Sequence, residues 1–427
     1  MILFRATADI FREYRFSLIG HDVNFNLFIL LLVVSGNIYM MLVRLLKNEM
    51  RIPKIYLYFF LILAYFSTSL YYSIDKAGSF EEIVRLISIV GICPLVYEVT
   101  RNERDLKRFL KFYGLSVIVP MLVGFTQILF FRDEITYYGY PRVIGTFNHP
   151  SAFGDYIVLF CIFFLGFFFY FVEKKKFKTK RKITLILLLL GALLFLTFTR
   201  GSWLGFVLVT LLMTFVKNKR FFFKYLITLS IILLVLSPFI IQRLLGEVGN
   251  TGVQVVDIGG NLEVTGSYAS RLTFTLYAIK NMFLDSPIIG KGLGSFFYHY
   301  SPLEFHIQVE THNDLAKILG ETGVIGGILY LGLFFYLIRA SYKLYKRKSN
   351  PLSKTIYLIA FTMSVFMLYS GLTNASLRLL PVQFYFWTFI GIAFSLTKGS
   401  ILSDSSVKET IEDSNAGDTK LKVSYRI

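Results

Sequence analysis

Arg142, Arg200, Arg271, Arg378 and His312 are the side chains whose type and setting point to chemistry. Arg142, Arg200 and Arg378 sit beside long apolar runs and Arg271 inside the long polar loop, all in segments otherwise poor in basic residues. Arg200 is the plainest case. It lies in Thr197-Phe198-Thr199-Arg200-Gly201-Ser202-Trp203, a very short break between two apolar stretches, where Gly201 and Ser202 let another group come close. A guanidinium there can hold a phosphate or pyrophosphate through two parallel N–H bonds. The N-terminus of the helix that follows adds partial positive charge. An interfacial anchor with its stem along apolar surface is the plain alternative for a lone arginine.

His312 stands in Glu310-Thr311-His312-Asn313-Asp314. Leu315, Ile318 and Leu319 have helical spacing, with Thr311 as the expected cap and Asp314 in the place of a capping-box glutamate. His312 then falls in the first helical turn. A neutral imidazole there can serve as a general base, oriented by Glu310 or Asp314. A capping or surface histidine is the alternative. His299 and His306 share the segment, but their spacing with His312 matches no metal-ligand pattern. Upstream, Leu272, Leu276, Ile279 and Phe283 form one stripe of an amphipathic helix over 268–284. The turn Gly290-Lys291-Gly292-Leu293-Gly294 follows. With no strand before it, it is a weak phosphate cradle, with Gly292 the expected contact.

These residues hang on a membrane framework. The chain has 427 residues, 55% of them hydrophobic and 17% aromatic, with mean hydropathy +0.60. Repeated apolar runs of about 20 residues imply spanning helices. The sequence predicts an all-α polytopic membrane protein with eleven spans, within ten to twelve: 25–43, 55–74, 83–99, 109–131, 151–172, 183–199, 201–216, 221–241, 324–342, 355–372 and 380–397. The organisation is therefore N-terminal membrane helices over 1–241, a large loop with amphipathic helices over 242–323, C-terminal membrane helices over 324–397 and a disordered tail over 398–427.

The net charge of +18 does not indicate nucleic-acid binding, because the basic residues cluster in short loops between apolar runs. One set of loops and the tail carry 31 Lys and Arg; the other set carries 10, half of them in the 82-residue loop 242–323. The first set is expected in the cytoplasm and the large loop outside. The N-terminus is expected outside too, unless residues 1–20 lie along the membrane. Cys93 and Cys161 fall inside apolar runs and suit neither a disulfide nor a metal.

Taken in order, these motifs resemble a known family. They run from Arg142 and Gly145-Thr146-Phe147-Asn148-His149-Pro150 through Thr199-Arg200-Gly201-Ser202-Trp203, Ser270-Arg271-Leu272 and Pro287 to Gly294. His312-Asn313-Asp314-Leu315 and Glu321-Thr322-Gly323-Val324-Ile325-Gly326 complete the set. The ordered set resembles the O-antigen ligase and Wzy-type polymerase superfamily, from about Arg142 to Tyr342. The resemblance implies a GT-C-like bacterial membrane glycosyltransferase, resident in the cytoplasmic membrane with its active site on the extracytoplasmic face. Such enzymes take a glycan from undecaprenyl pyrophosphate and pass it to a sugar hydroxyl on lipid A-core or on another lipid-linked repeat, with no nucleotide sugar, metal or other cofactor. Arg200, Arg271 and His312 match the family's catalytic residues. Arg142, Glu310, Asn313 and Gly292 complete the expected substrate-binding set. A single inverting displacement follows, with the arginines on pyrophosphate and His312 on the acceptor. Two rivals remain: a flippase for the same lipid-linked glycan, and a non-catalytic envelope-assembly partner. Against the flippase, no Asp or Glu falls near the centre of an apolar run; Asp155 lies in a first turn and Asn37 is the main mid-span polar residue.

Overall fold

The computed structural model describes residues 2–3, 5–7, 15–18, 21–46, 53–131, 136–137, 140–249, 266–298, 310–398 and 401. His299, His306 and nearly all of the tail lie outside the described residues. Sixteen α-helices follow in chain order: α1 Phe25–Leu46, α2 Lys54–Ser67, α3 Ser69–Tyr72, α4 Lys76–Val90, α5 Ile92–Val99, α6 Glu103–Leu115, α7 Ile118–Phe130 and α8 Pro150–Glu173, then α9 Phe177–Leu196, α10 Arg200–Lys217, α11 Lys219–Gly249, α12 Gly266–Tyr277, α13 Ser295–Tyr298, α14 Asp314–Arg347, α15 Pro351–Thr373 and α16 Leu380–Ser395. Among the described residues the strands are two short antiparallel hairpins, Arg15–Leu18 with His21–Asn24 and Thr136–Tyr137 with Tyr140–Pro141. All eleven apolar runs lie on helices. Among the described residues, seven helical segments are long and apolar enough to cross a membrane: Lys54–Tyr72, Glu103–Phe130, Pro150–Glu173, Arg200–Lys217, Asp314–Arg347, Pro351–Thr373 and Leu380–Lys398. The protein is an all-α polytopic membrane protein.

Helices α8, α15 and α16 form the centre, buried along most of their length. Tyr113, Tyr156, Phe160 and Tyr385 stack between them, and the Tyr156 hydroxyl donates to the Ser116 carbonyl at 3.1 Å. Lipid-facing surface is equally apolar: Phe223, Leu234 and Val235 of α11 point outward. Asn37, the mid-span amide, has a clear task. The 83–99 run breaks at Gly91 between α4 and α5, and Asn37 donates to the Gly91 and Val33 carbonyls at 2.8 Å each. It satisfies a carbonyl at the break that lipid could not.

The two ends of the bundle differ. At the end with the basic loops, Arg44 pairs with Glu98 at 2.7 Å, Lys398 donates to the Tyr97 carbonyl at 2.6 Å, and Lys217 pairs with Glu173 at 2.8 Å. The candidate site lies at the other end. There the N-terminal segment tucks in rather than lying on the surface: Ile2, Arg5 and Ala6 are buried, and the Thr146 hydroxyl donates to the Ala6 carbonyl at 2.7 Å.

Two sequence expectations are corrected here. The amphipathic helix exists and Ile279 packs inward as expected, but the buried stripe is Phe274, Ala278 and Met282, packed on Phe296 and Ala316. Leu272 and Leu276 are 50% and 40% exposed. The cause is close packing plus a change of pitch. Gly320 of α14 approaches so closely that a Cβ would sit 3.1 Å from the Ala278 carbonyl, and α12 widens into a π-helical turn over Ala278–Phe283. Leu272 and Leu276 face outward, where lipid-side apolar residues belong.

The glycine-rich turn clamps the kink in α14. Helix α14 kinks at Gly323, which has φ 65°. The kink frees carbonyls of the preceding turn. The Lys291 and Gly292 amides take them, donating to the Gly320 and Glu321 carbonyls at 3.0 and 2.8 Å, while the Val324 amide donates to the Pro287 carbonyl at 2.8 Å. Gly292 has φ 106° and abuts Ser73, where a Cβ would stand 2.3 Å from the Ser73 side chain. Its amide is engaged within the fold, on the Glu321 carbonyl.

Candidate active site

Four breaks between helices meet at this end: 142–149 before α8, 197–200 between α9 and α10, 310–313 before α14, and 374–379 between α15 and α16. The first is locked by Gln127 of α7, whose carbonyl accepts from the Ile144 and Gly145 amides at 3.2 and 2.8 Å. That lock presents Arg142, buried, with its Nε donating to the Thr197 carbonyl at 3.0 Å. Arg142 thus braces the turn that carries Arg200.

Arg200 opens α10, and no side chain caps that helix. Phe198, just before it, has φ 50°, a left-handed conformation costly for a bulky residue. Gly201 lies against Thr373, and the Tyr369 hydroxyl donates to the Gly201 carbonyl at 3.0 Å. From the other side Arg271 donates to the Thr373 carbonyl at 2.9 Å. The Arg200 turn and Arg271, far apart in sequence, therefore flank the same end of α15.

His312 does not sit in the first turn of α14. Asn313 is the cap, its side chain accepting from the Ala316 amide at 3.0 Å, and the helix starts at Asp314. The Thr311 hydroxyl instead donates to the Asn313 carbonyl at 2.9 Å. His312 is left in the preceding loop at φ 52°. Asn313 is thus engaged as a cap, the role its short polar side chain suits best. Burial, then the nearby Arg271 charge, push the His312 pKa down to about 4; Asn374 and the charge of Glu310 oppose this without reversing it. The ring is therefore neutral at physiological pH, as a general base must be.

His149 is a neighbour that the sequence reading did not single out. Its Nδ1 caps α8, accepting from the Ser151 amide at 3.1 Å. Burial, then Arg142, His312 and Arg271, lower its pKa to about 4 as well. Both histidines feel Arg271, and His149 also feels Arg142 and His312, which places Arg142, His149, Arg271 and His312 in one electrostatic neighbourhood.

Two buried polar clusters frame the site. In the first, Asp155 of α8 accepts from Ser202 of α10 at 2.7 Å, from Ser370 of α15 at 2.6 Å and from Asn374 at 3.3 Å. Gly154 makes this approach possible, since a Cβ there would lie 2.7 Å from the Ser202 hydroxyl. In the second, Glu310 pairs with Arg378 at 2.5 Å and with Lys317 at 3.3 Å. Lys317 and Arg378 both reach Glu82 at 3.2 Å, and Arg85 pairs with Glu82 too. Arg378 also stacks on Phe297, 3.6 Å from the ring centroid. Glu310 and Arg378 therefore hold each other and fix the loop that bears His312. Glu82 and Lys317 were missed by sequence reasoning. Their signal was a charge within one or two turns of an apolar run, on the side of the chain where charges are scarce.

A membrane bundle with arginines, two neutral histidines and buried ion pairs gathered at one end is the frame for comparison with known proteins. Residues 185–331 match the family model described as O-antigen ligase. That region contains Arg200, Arg271, Gly292, Glu310, His312 and Asn313; Arg142 lies outside it. The chain is also 33% identical over 118 residues, 27% of its length, to a protein of Bacillus subtilis (strain 168) named teichuronic acid biosynthesis protein TuaE. The match spans about a quarter of that relative, 24% of its length.

Proposed function

We propose that the protein is a membrane glycosyltransferase of cell-surface polysaccharide synthesis. It moves a glycan from undecaprenyl pyrophosphate to an acceptor sugar hydroxyl at the extracytoplasmic face of the bacterial cytoplasmic membrane. The observation that carries this reading is His312, half-buried, neutral and near the Arg271 charge, on the same end as the Arg200 turn. The O-antigen ligase domain supports the reaction class, and the TuaE similarity makes teichuronic-acid-type chains the first substrate to assay. The placement of Lys and Arg supports the outward orientation.

In the proposed step, Arg200 and Arg271 bind the pyrophosphate and His312 takes the proton from the acceptor hydroxyl. The acceptor oxygen forms a bond to the anomeric carbon as the bond from that carbon to the pyrophosphate oxygen breaks. Undecaprenyl pyrophosphate leaves with the electron pair, and configuration inverts. Pyrophosphate is already a good leaving group, so charge stabilisation and proton removal are the main demands. One preorganised donor is worth about 10²–10³ in rate, and a positioned base about 10²–10⁴.

The test is a clean deletion strain complemented with wild type, Arg200→Ala, Arg271→Ala or His312→Ala, with envelope glycans run on a gel and protein levels matched. Loss of long chains with single repeats left on the lipid carrier identifies a polymerase. Long chains retained on the carrier but missing from the acceptor identify a ligase. Restoration of the wild-type pattern by all three variants would refute the catalytic reading and leave an assembly partner.

A further inference from the structure

The end of the bundle opposite the candidate active site holds a half-open cavity of about 300 Å³, between the start of α2, the far end of α14 and the end of α16. Its floor is apolar. Tyr336, Ala340 and Leu344 stand four residues apart on α14, so they share one face and run about 12 Å along it. Ile55 of α2 and Phe394 of α16 form the sides. Tyr336 stacks on Tyr58 and on Phe394, with ring centroids 4.8 and 6.2 Å away. Because α14 is long and apolar enough to span, this floor lies at hydrocarbon depth, with the mouth of the cavity near the membrane surface. The rim is cationic. Lys54 lines the mouth, is exposed, and forms no ion pair among the described residues. Lys398 follows the lining residue Thr397, and its ammonium stands 4.3 Å from the centroid of the lining Tyr97 ring. Arg44 pairs with Glu98 at 2.7 Å, and Lys398 is 3.8 Å from the same carboxylate. Among the described residues, three cations therefore share one acid here.

We propose that this cavity is a binding site for an anionic phospholipid of the leaflet on the basic-loop side, with one acyl chain along the floor formed by Tyr336, Ala340 and Leu344 and the phosphate at Lys54. The chemistry of the lining selects that occupant. A polypeptide segment would bring backbone groups that the lining cannot satisfy, since the Thr397 hydroxyl donates to the Phe394 carbonyl at 2.7 Å and the Tyr97 carbonyl accepts from Lys398 at 2.6 Å. A hydrocarbon chain brings no such groups. A zwitterionic headgroup would set its own ammonium among three cations, and the one acid, Glu98, is shared by Arg44, Tyr56 and Lys398. A headgroup of net negative charge meets attraction alone, and basic pockets between membrane helices on the cytoplasmic side take such lipids. Tyr97 and Tyr336 suit the boundary between headgroup and chain, where an aromatic ring with a polar tip is at home. A lipid seated here ties the start of α2 to α14 and α16. The inference does not depend on the transferase reading, which concerns the other end of the bundle.

The test separates the charge from the groove. Purified full-length protein is titrated in detergent with phosphatidylglycerol or with phosphatidylcholine of the same chains, and bound lipid is counted by native mass spectrometry. Wild type should hold one phosphatidylglycerol in clear preference to phosphatidylcholine, and that lipid should raise the melting temperature. Lys54→Gln should weaken its binding about fivefold, the factor for one basic residue beside an anionic headgroup, and Lys54→Glu by at least about tenfold. Ala340→Phe fills the floor without touching a charge, and it should also abolish the preference. Equal binding of the two lipids by wild type would overturn the proposal, as would undiminished phosphatidylglycerol binding in Lys54→Glu. Loss in Lys54→Glu with full binding in Ala340→Phe would overturn it as well, because it would show attraction to a charged surface with no seated chain. Should Ala340→Phe fail to fold, a short-chain phosphatidylglycerol supplies the same control: it keeps the headgroup, lacks the length to cover the floor, and should bind wild type at least about tenfold more weakly than the long-chain lipid.

Discussion

The acid limb of the transfer reaction should be displaced far from that of an ordinary histidine, and Arg271 should control part of the displacement. His312 has its pKa lowered from 6.5 to about 4, first by burial and then by Arg271. At about 1.4 kcal/mol per unit, that is a preference of about 3 kcal/mol for the neutral ring. Activity, read as kcat/KM on purified protein with a lipid-linked donor, should be full at neutral pH and fall only as pH approaches about 4. Replacing Arg271 with Ala removes a pyrophosphate donor and a repelling charge together. The first effect should cost about 10²–10³ in rate. The second should raise the His312 pKa, moving the residual acid limb to higher pH. It should stop short of 6.5, because burial is the larger cause and remains. Arg271→Lys keeps the positive charge, so its limb should stay near the wild-type position even though a single ammonium holds pyrophosphate less well. A wild-type limb near 6.5, or a limb unmoved in Arg271→Ala, would refute the electrostatic account of the base.

The fold makes further demands. Both His149 and His312 have depressed values, so the unfolded chain binds more protons between about 4 and 6.5. Stability should therefore fall as pH is lowered through that window, and His312→Gln should flatten part of the slope in thermal melts in detergent. Lys317, 2% exposed, holds Glu82 and Glu310, so Lys317→Met should destabilise by about 3–5 kcal/mol, read as a lower melting temperature. Gly292→Ala, at φ 106° and against Ser73, should cost at least about 2 kcal/mol and reduce folded yield. Gly191→Ala and Gly332→Ala, with nothing within 4 Å of the new methyl, should be neutral or slightly stabilising. Asn313→Ala should cost about 1 kcal/mol through the lost cap, with donor KM unchanged if Asn313 acts only there.

The breaks between apolar runs were legible because lipid tolerates so few polar residues. Arg142, Arg200, Arg271 and His312 each stand in or beside such a break, and the structure places those breaks at one end of the bundle. What joins them was not legible. Glu82 and Lys317 are 235 positions apart, and Asp155 and Asn374 are 219 apart. No periodicity reports a pairing over that distance. In a water-soluble protein the stripe of a helix separates inside from outside, but here lipid replaces water and both faces are apolar. That is why Leu272 and Leu276 passed for the inward stripe while the smaller Ala278, which lets α14 approach, forms the real contact. The same loss of contrast hid Asp155, which reads as a polar residue near a helix end until its three partners are seen. A buried acid with partners on two other helices constrains geometry more tightly than an apolar contact, because misplacing any one leaves an unpaired charge in a dry site. The polar ties concentrated at this end, against mostly dispersion packing at mid-bundle, are what the proposed reaction needs, in which Arg200, Arg271 and His312, from separate elements, act on one substrate.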